Sequence, residues 1–187
     1  MKKSQLVFLM LSVSTMFIVG CKKDDDKPED THDDVHNDGE VITTAILKFT
    51  DPMGVAPAVE YQYRDPDGEG GNPAVTFDDI VLQSSTSYNC EIILLNETLN
   101  PIDSISNEVL AEAADHLFCY TVTNVAVDIT RTDSDGTYEI GLQTLWTTAA
   151  VGSGTMRVVL KHQPGIKNGT CDPGDSDIDL TFDLTVE

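Results

Sequence analysis

Asp177-Ile178-Asp179-Leu180-Thr181-Phe182-Asp183-Leu184-Thr185-Val186 alternates strictly between apolar and polar residues. Ile178, Leu180, Phe182, Leu184 and Val186 fall on one side, and Asp177, Asp179, Thr181, Asp183 and Thr185 on the other. Successive side chains of an extended strand point to opposite faces, so this stretch predicts a strand with one dry and one wet face. The segment before it repeats the pattern: Met156, Val158, Leu160 and His162 oppose Arg157 and Lys161. Strands that are wet on one side belong to antiparallel sheets laid over a core.

Moving outward, short Val, Ile, Thr and aromatic runs recur from residue 41 onward, each bounded by Gly, Pro, Asn or Asp. They predict nine strands, near 41–50, 58–64, 75–82, 87–96, 116–122, 125–131, 138–148, 155–163 and 177–186. One helix is expected over 106–115, where Ile105, Val109 and Ala113 recur every four residues. Doubly wound α/β folds need helices between most strands, and these are missing. The expected fold is therefore an all-β antiparallel sandwich, immunoglobulin-like, with about eight or nine strands and one short helix.

If consecutive strands run antiparallel, the loops after even-numbered strands share one rim. That rim collects 65–72, 97–115, 131–137 and 164–176. His116 begins the fifth strand, in phase with Phe118 and Tyr120, and His162 closes the row of Met156, Val158 and Leu160. Two imidazoles beside carboxylates such as Glu97 suit a transition metal, Zn²⁺ above all, or haem. A histidine at the end of a core row is also an ordinary hydrogen-bonded edge residue.

Asp65-Pro66-Asp67-Gly68-Glu69-Gly70 carries carboxylates at alternate positions followed by glycine, as in the first half of a calcium loop. Asp65, Asp67 and Glu69 would be the ligands. Thr76 occupies the position of the closing Glu, and the same residues read equally well as a plain Asp/Gly turn. Nucleophile elbows, zinc-protease helices and phosphate-cradling glycine loops are lacking, so a binder rather than an enzyme is expected. Asp103-Ser104-Ile105 matches the O-glycosylation sequence of Bacteroidota envelope proteins and marks Ser104.

The other end of the chain bears on location. Residues 1–20 open with Lys2 and Lys3, run through an apolar stretch too short for a membrane span, and end on Gly20. Ile18-Val19-Gly20-Cys21 resembles the lipobox of bacterial lipoproteins, with Ile18 where Leu is usual, and implies lipidation of Cys21. Lys23-Asp24-Asp25 is similar to the signal that carries Bacteroidota lipoproteins to the outer face of the outer membrane. Residues 21–40 read as an acidic flexible linker, with His32 and His36 among aspartates, and 41–187 as one sandwich domain.

The net charge is −21, and removal of 1–20 with its two lysines lowers it to −23. Such a surface excludes nucleic acid as a partner, since phosphate contacts need clustered Lys and Arg. In an oxidising envelope, Cys90, Cys119 and Cys171 suggest one disulfide and one spare thiol. Cys119–Cys171, both at the rim, is the preferred pairing, with Cys90–Cys119 the alternative.

Glu40-Val41-Ile42-Thr43-Thr44, the run from Asp65 to Pro73, Leu94-Leu95-Asn96-Glu97-Thr98, Leu142-Gln143-Thr144-Leu145-Trp146-Thr147 and Leu160-Lys161-His162-Gln163-Pro164 carry a further likeness. Through them the chain resembles a group of short Bacteroidota lipoproteins often labelled type 1 periplasmic binding fold. That label denotes a helix-rich, two-domain α/β architecture, which the strand pattern contradicts. The resulting expectation is a surface lipoprotein that captures a metal ion or metal cofactor at one rim, possible partner of an outer-membrane uptake receptor. A structural or adhesive module with Ca²⁺-stabilised or merely solubilising loops is the alternative.

Overall fold

The structure, a computed structural model, describes residues 40–68 and 70–187. The segment 1–20, the expected lipidation site Cys21, the rest of the expected linker to residue 39 and Glu69 lie outside the described residues.

Among the described residues, ten strands and one helix follow in order: β1 (Thr44–Thr50), β2 (Val59–Arg64), β3 (Thr76–Phe77), β4 (Ile80–Leu82), β5 (Ser87–Leu95), α1 (Ile105–Ala111), β6 (His116–Thr123), β7 (Val127–Arg131), β8 (Gln143–Thr148), β9 (Gly152–His162) and β10 (Asp175–Val186). They form two sheets, ordered β3-β2-β1-β5-β8-β7 and β4-β10-β9-β6. Every pairing is antiparallel except that of β4 with β10, where Ile80 lies beside Leu184 in parallel. The fold is an all-β sandwich.

One core fills the space between the sheets. Ala45, Leu47 and Phe49 of β1 and Ile92 and Leu94 of β5 meet Met156, Val158 and Leu160 of β9 and Leu180, Phe182 and Leu184 of β10. Trp146 is fully buried, edge-on to Phe49 with centroids 4.9 Å apart. Its indole N–H donates to the Thr144 hydroxyl at 2.9 Å, so the buried donor is satisfied.

Two expected strands divide or shorten where aspartates take over backbone hydrogen bonds. The run 75–82 becomes β3 and β4, in different sheets. Asp78 accepts the Gln62 N–H through its carboxylate at 2.9 Å, which ends the ladder on β2 and lets the chain cross to β10. The run 138–148 is a strand only from Gln143. Asp133 accepts from the N–H groups of Gly141 (2.7 Å) and Gln143 (3.2 Å), while Ile140 accepts from Phe118 N–H at 2.7 Å, so the chain leans on β6 before entering β8. Gly141 has φ +94°, and a Cβ there would stand 2.9 Å from that of Phe118; glycine permits the close approach.

On the outer face of the smaller sheet, Leu117, Cys119 and Val159 make a second buried cluster. The loop after β9 is pinned to this face by a disulfide between Cys119 and Cys171. Gln163 holds the loop from inside, donating to the carbonyls of Thr170 (2.9 Å) and Pro173 (2.8 Å). Lys167 closes it, donating to Asp135 (2.8 Å) and to the Ala113 carbonyl (2.7 Å) with little of either charged side chain exposed.

Candidate metal centre

Register places the site. Thr44 of β1 lies beside Arg64 and Leu95, so the start of β1 and the ends of β2 and β5 share one end of the larger sheet. In the smaller sheet, His162 lies between His116 and Asp175, bringing together the start of β6, the end of β9 and the start of β10. Glu40, just ahead of β1, interacts electrostatically with Asp177 of β10 and with Glu108 and Glu112 of the α1 region. The two sheet ends therefore form one rim.

His116 and His162 stack there with centroids 4.8 Å apart and planes 8° from parallel. His116 is 1% exposed. Its Nδ1 lies 3.1 Å from the backbone carbonyl of Glu112, and since a carbonyl only accepts, Nδ1 carries the hydrogen. Nε2 therefore faces the other way, toward the Asp177 carboxylate at 3.8 Å. That gap exceeds the roughly 2.7–3.2 Å of a hydrogen bond. Two ligands on one zinc ion, each about 2.0–2.1 Å from it, stand roughly 3.3 Å apart in a tetrahedron, so small side-chain shifts would accommodate an ion between them. Glu112 supplies a carboxylate oxygen, and one atom each from Glu112, His116 and His162 lies within 4.8 Å of the others.

Asp177 comes to this place through an irregularity. The β9–β10 register runs Asp175↔His162, Ser176↔Lys161 and then Ile178↔Leu160, leaving Asp177 as the extra residue of a bulge. A bulge re-aims the side chain it carries. The expectation that Asp177 shares the wet face of Asp179 and Asp183 is thus corrected: its side chain is 2% exposed and faces His116.

Four buried side-chain atoms lack a hydrogen-bond partner among the described residues: Glu40 Oε2, Asp65 Oδ1, Gln163 Oε1 and Asp177 Oδ2. All are acceptors, and all belong to residues at this rim. A buried polar atom left unpaired costs roughly 1–3 kcal/mol, more when charged. A surplus of buried acceptors is relieved by a cation.

Carboxyl groups crowd the same place. Burial pushes the Glu40 carboxyl up to about 7, reinforced by the charges of Glu108, Asp177 and Glu112. Glu108 is also raised, by burial and then by the neighbouring Asp103 carboxyl.

Glu97 takes no part in this group. Arg64 binds its carboxylate through Nε and Nη2, and Thr44 donates a third bond at 2.7 Å. The guanidinium holds Glu97 below the usual carboxylate range and occupies its oxygens. Glu112 groups with the two histidines instead, and Asp177 faces His116. The spacing of four from Glu108 to Glu112 to His116 is a sequence signal for Glu112; the bulge at Asp177 leaves none.

In the expected calcium loop, Asp65 is 6% exposed and accepts from Tyr63 O–H at 3.3 Å. Asp67 uses Oδ2 to hold the backbone N–H (2.9 Å) and side-chain amide (2.7 Å) of Asn72, which lowers its pKa. Asp67 thus clamps its own turn. Ser104 precedes α1, half buried, without a side-chain capping bond. Cys90 is a free buried thiol, and burial pushes its pKa well above the usual value.

Among the described residues no helix is long and apolar enough to cross a membrane. No family model, curated protein or solved structure matches the chain.

Proposed function

We propose that this chain is a surface-exposed outer-membrane lipoprotein whose sandwich binds a divalent transition metal, Zn²⁺ foremost, through His116, His162, Asp177 and Glu112. The observation that carries the reading is the Oδ2 oxygen of Asp177, buried without a hydrogen-bond partner and facing a histidine nitrogen across 3.8 Å. Imidazole and carboxylate together are a borderline-soft donor set suited to zinc. The backbone carbonyl of Glu112 fixes the His116 tautomer, the role that outer partners play for metal-bound histidines. The parallel stack of the two rings favours a bare ion over haem, because the space between them leaves no room for a macrocycle.

The lipobox at Cys21 and the acidic run after it supply the location, and a tethered metal binder would serve an outer-membrane uptake receptor. Incorporation of labelled palmitate, abolished by Cys21→Ser, checks the anchor; label retained in the variant contradicts it. For the site, chelator-stripped protein is titrated with Zn²⁺. His116→Ala/His162→Ala is expected to weaken binding by at least about 100-fold, beyond the effect of losing an outer partner. Equal affinity in the double variant sinks the reading.

A further inference from the structure

One side of β10 is open. Strand β9 runs beside it along its length, but on the other side β4 pairs only from Leu184 to Val186. Among the described residues no strand pairs with that side over 175–183. The bulge at Asp177 interrupts the ladder near the start, which leaves 178–183 as a regular edge of ordinary strand length, about 5–6 residues. An unpaired row of backbone N–H and C=O groups is a template for another strand. Two hollows of about 240 and 270 Å³ lie along it. Ile42 and Tyr63 wall the first, and Phe77 the second. Phe77 is 48% exposed, yet it is held edge-on to Tyr63 and Phe182, with centroids 5.3 and 4.9 Å away. The second hollow is otherwise lined by Asp78, Asp79, Thr181 and Asp183, so its only charges are negative.

We infer that the open edge of β10 docks an extended peptide segment of a partner protein, one that alternates apolar residues with Lys or Arg. Main-chain hydrogen bonds to 178–183 supply the affinity, and the hollows supply the specificity. Side chains alternate across a strand, so the segment's apolar residues fall on the side of Ile178, Leu180 and Phe182, toward Tyr63 and Phe77. Its basic residues fall on the side of Thr181 and Asp183. Asp179 is already taken by Arg157, so the exposed Asp79 and Asp183 are the carboxylates that meet them. Charge decides the occupant, because like charges set opposite each other destabilise a strand pair. A second copy of this chain, with its net charge of −21, brings carboxylates to carboxylates. Residues 21–39 do the same through Asp24, Asp25, Asp26, Asp33 and Asp34, and have few apolar side chains to offer. The inference does not depend on the histidine site.

Hydrogen exchange of the full chain at physiological salt, with and without a synthetic octapeptide of alternating Val and Lys, tests the inference beside fluorescence-anisotropy binding. The outward amides of 178–183 are expected to exchange fast in the free protein and at least about tenfold more slowly with the peptide. A version N-methylated along its pairing edge keeps its charge but cannot donate, and should bind at least about tenfold more weakly. Asp79→Lys/Asp183→Lys, at two exposed positions, should reject the Val-Lys peptide and accept its Val-Glu counterpart. Protection of 178–183 before any peptide is added would show that the chain's own linker or a second copy covers the edge, and overturns the inference. Protection elsewhere, equal binding of the N-methylated peptide, or no binding overturns it as well.

Discussion

Asp177 shows how one backbone irregularity can decide a side chain's role. In an even ladder it would sit with Asp179 and Asp183 in water, as its place in the alternating stretch predicts. The bulge shifts the phase by one residue, and the carboxylate turns under the rim toward His116. Burial of its Oδ2 without a donor is a cost that the proposed metal would remove. Asp177→Asn should therefore leave the metal-free protein at least as stable as the wild type in urea unfolding, yet weaken zinc binding by about 10–100-fold. A variant that loses stability and keeps its zinc affinity would mean that the carboxylate serves the fold. His116 and His162 were legible from phase alone, since each continues a row of core residues. Asp177 was not, because a bulge is a matter of pairing between strands and leaves no mark in the periodicity of one.

At the scale of elements, the loop between β9 and β10 is the part most in need of clamps. It joins His162 to Asp175, two residues before Asp177, so its ordering bears on two of the proposed ligands. The chain holds it with the Cys119–Cys171 bond, the Gln163 amide and the Lys167–Asp135 pair. Lys167→Met leaves a largely buried carboxylate unpaired and is expected to cost about 3 kcal/mol, read by denaturant unfolding. The pair also sets an acid limit. Lys167, followed by the N–H groups of Tyr138 and Thr137, lowers Asp135 from 3.8 to about 2. A depressed carboxylate stabilises the fold fully above its unfolded value and loses that contribution as pH falls through its folded one. Stability should therefore decline between about pH 4 and pH 2, and Asp135→Asn should flatten that part of the profile; an unaltered profile would show that the pair is solvated. The two strands that differed from expectation, 75–82 and 138–148, share a cause with each other. Asp78 and Asp133 replace ladder partners with side-chain oxygens, and such competition is visible only once the neighbouring strand is in place.

For the whole molecule, the alternation in 155–163 and 177–186 was enough to give a two-sheet sandwich, because period two with one wet face has few other uses. Sheet order and the parallel β4–β10 pairing were beyond it, since they depend on where the chain changes sheets. The charge distribution was partly legible. A net charge of −21 suits a soluble surface protein and a cation binder alike, whereas the capture of Glu97 by Arg64 and the gathering of Glu40, Glu108, Glu112 and Asp177 required three dimensions. Binding to the native state alone stabilises it by about 2.7 kcal/mol at a ligand concentration 100 times Kd. For a domain of this size, zinc at that concentration should raise Tm by roughly 5–10 °C. His116→Ala/His162→Ala should abolish the rise, and an equal rise in that variant would place the bound ion elsewhere. The most direct test of the central claim is X-ray absorption at the zinc edge on the loaded protein. The account predicts a shell of nitrogen and oxygen ligands with the outer-shell scattering of two imidazoles, lost in the double histidine variant. A shell of oxygens without imidazole scattering would contradict it.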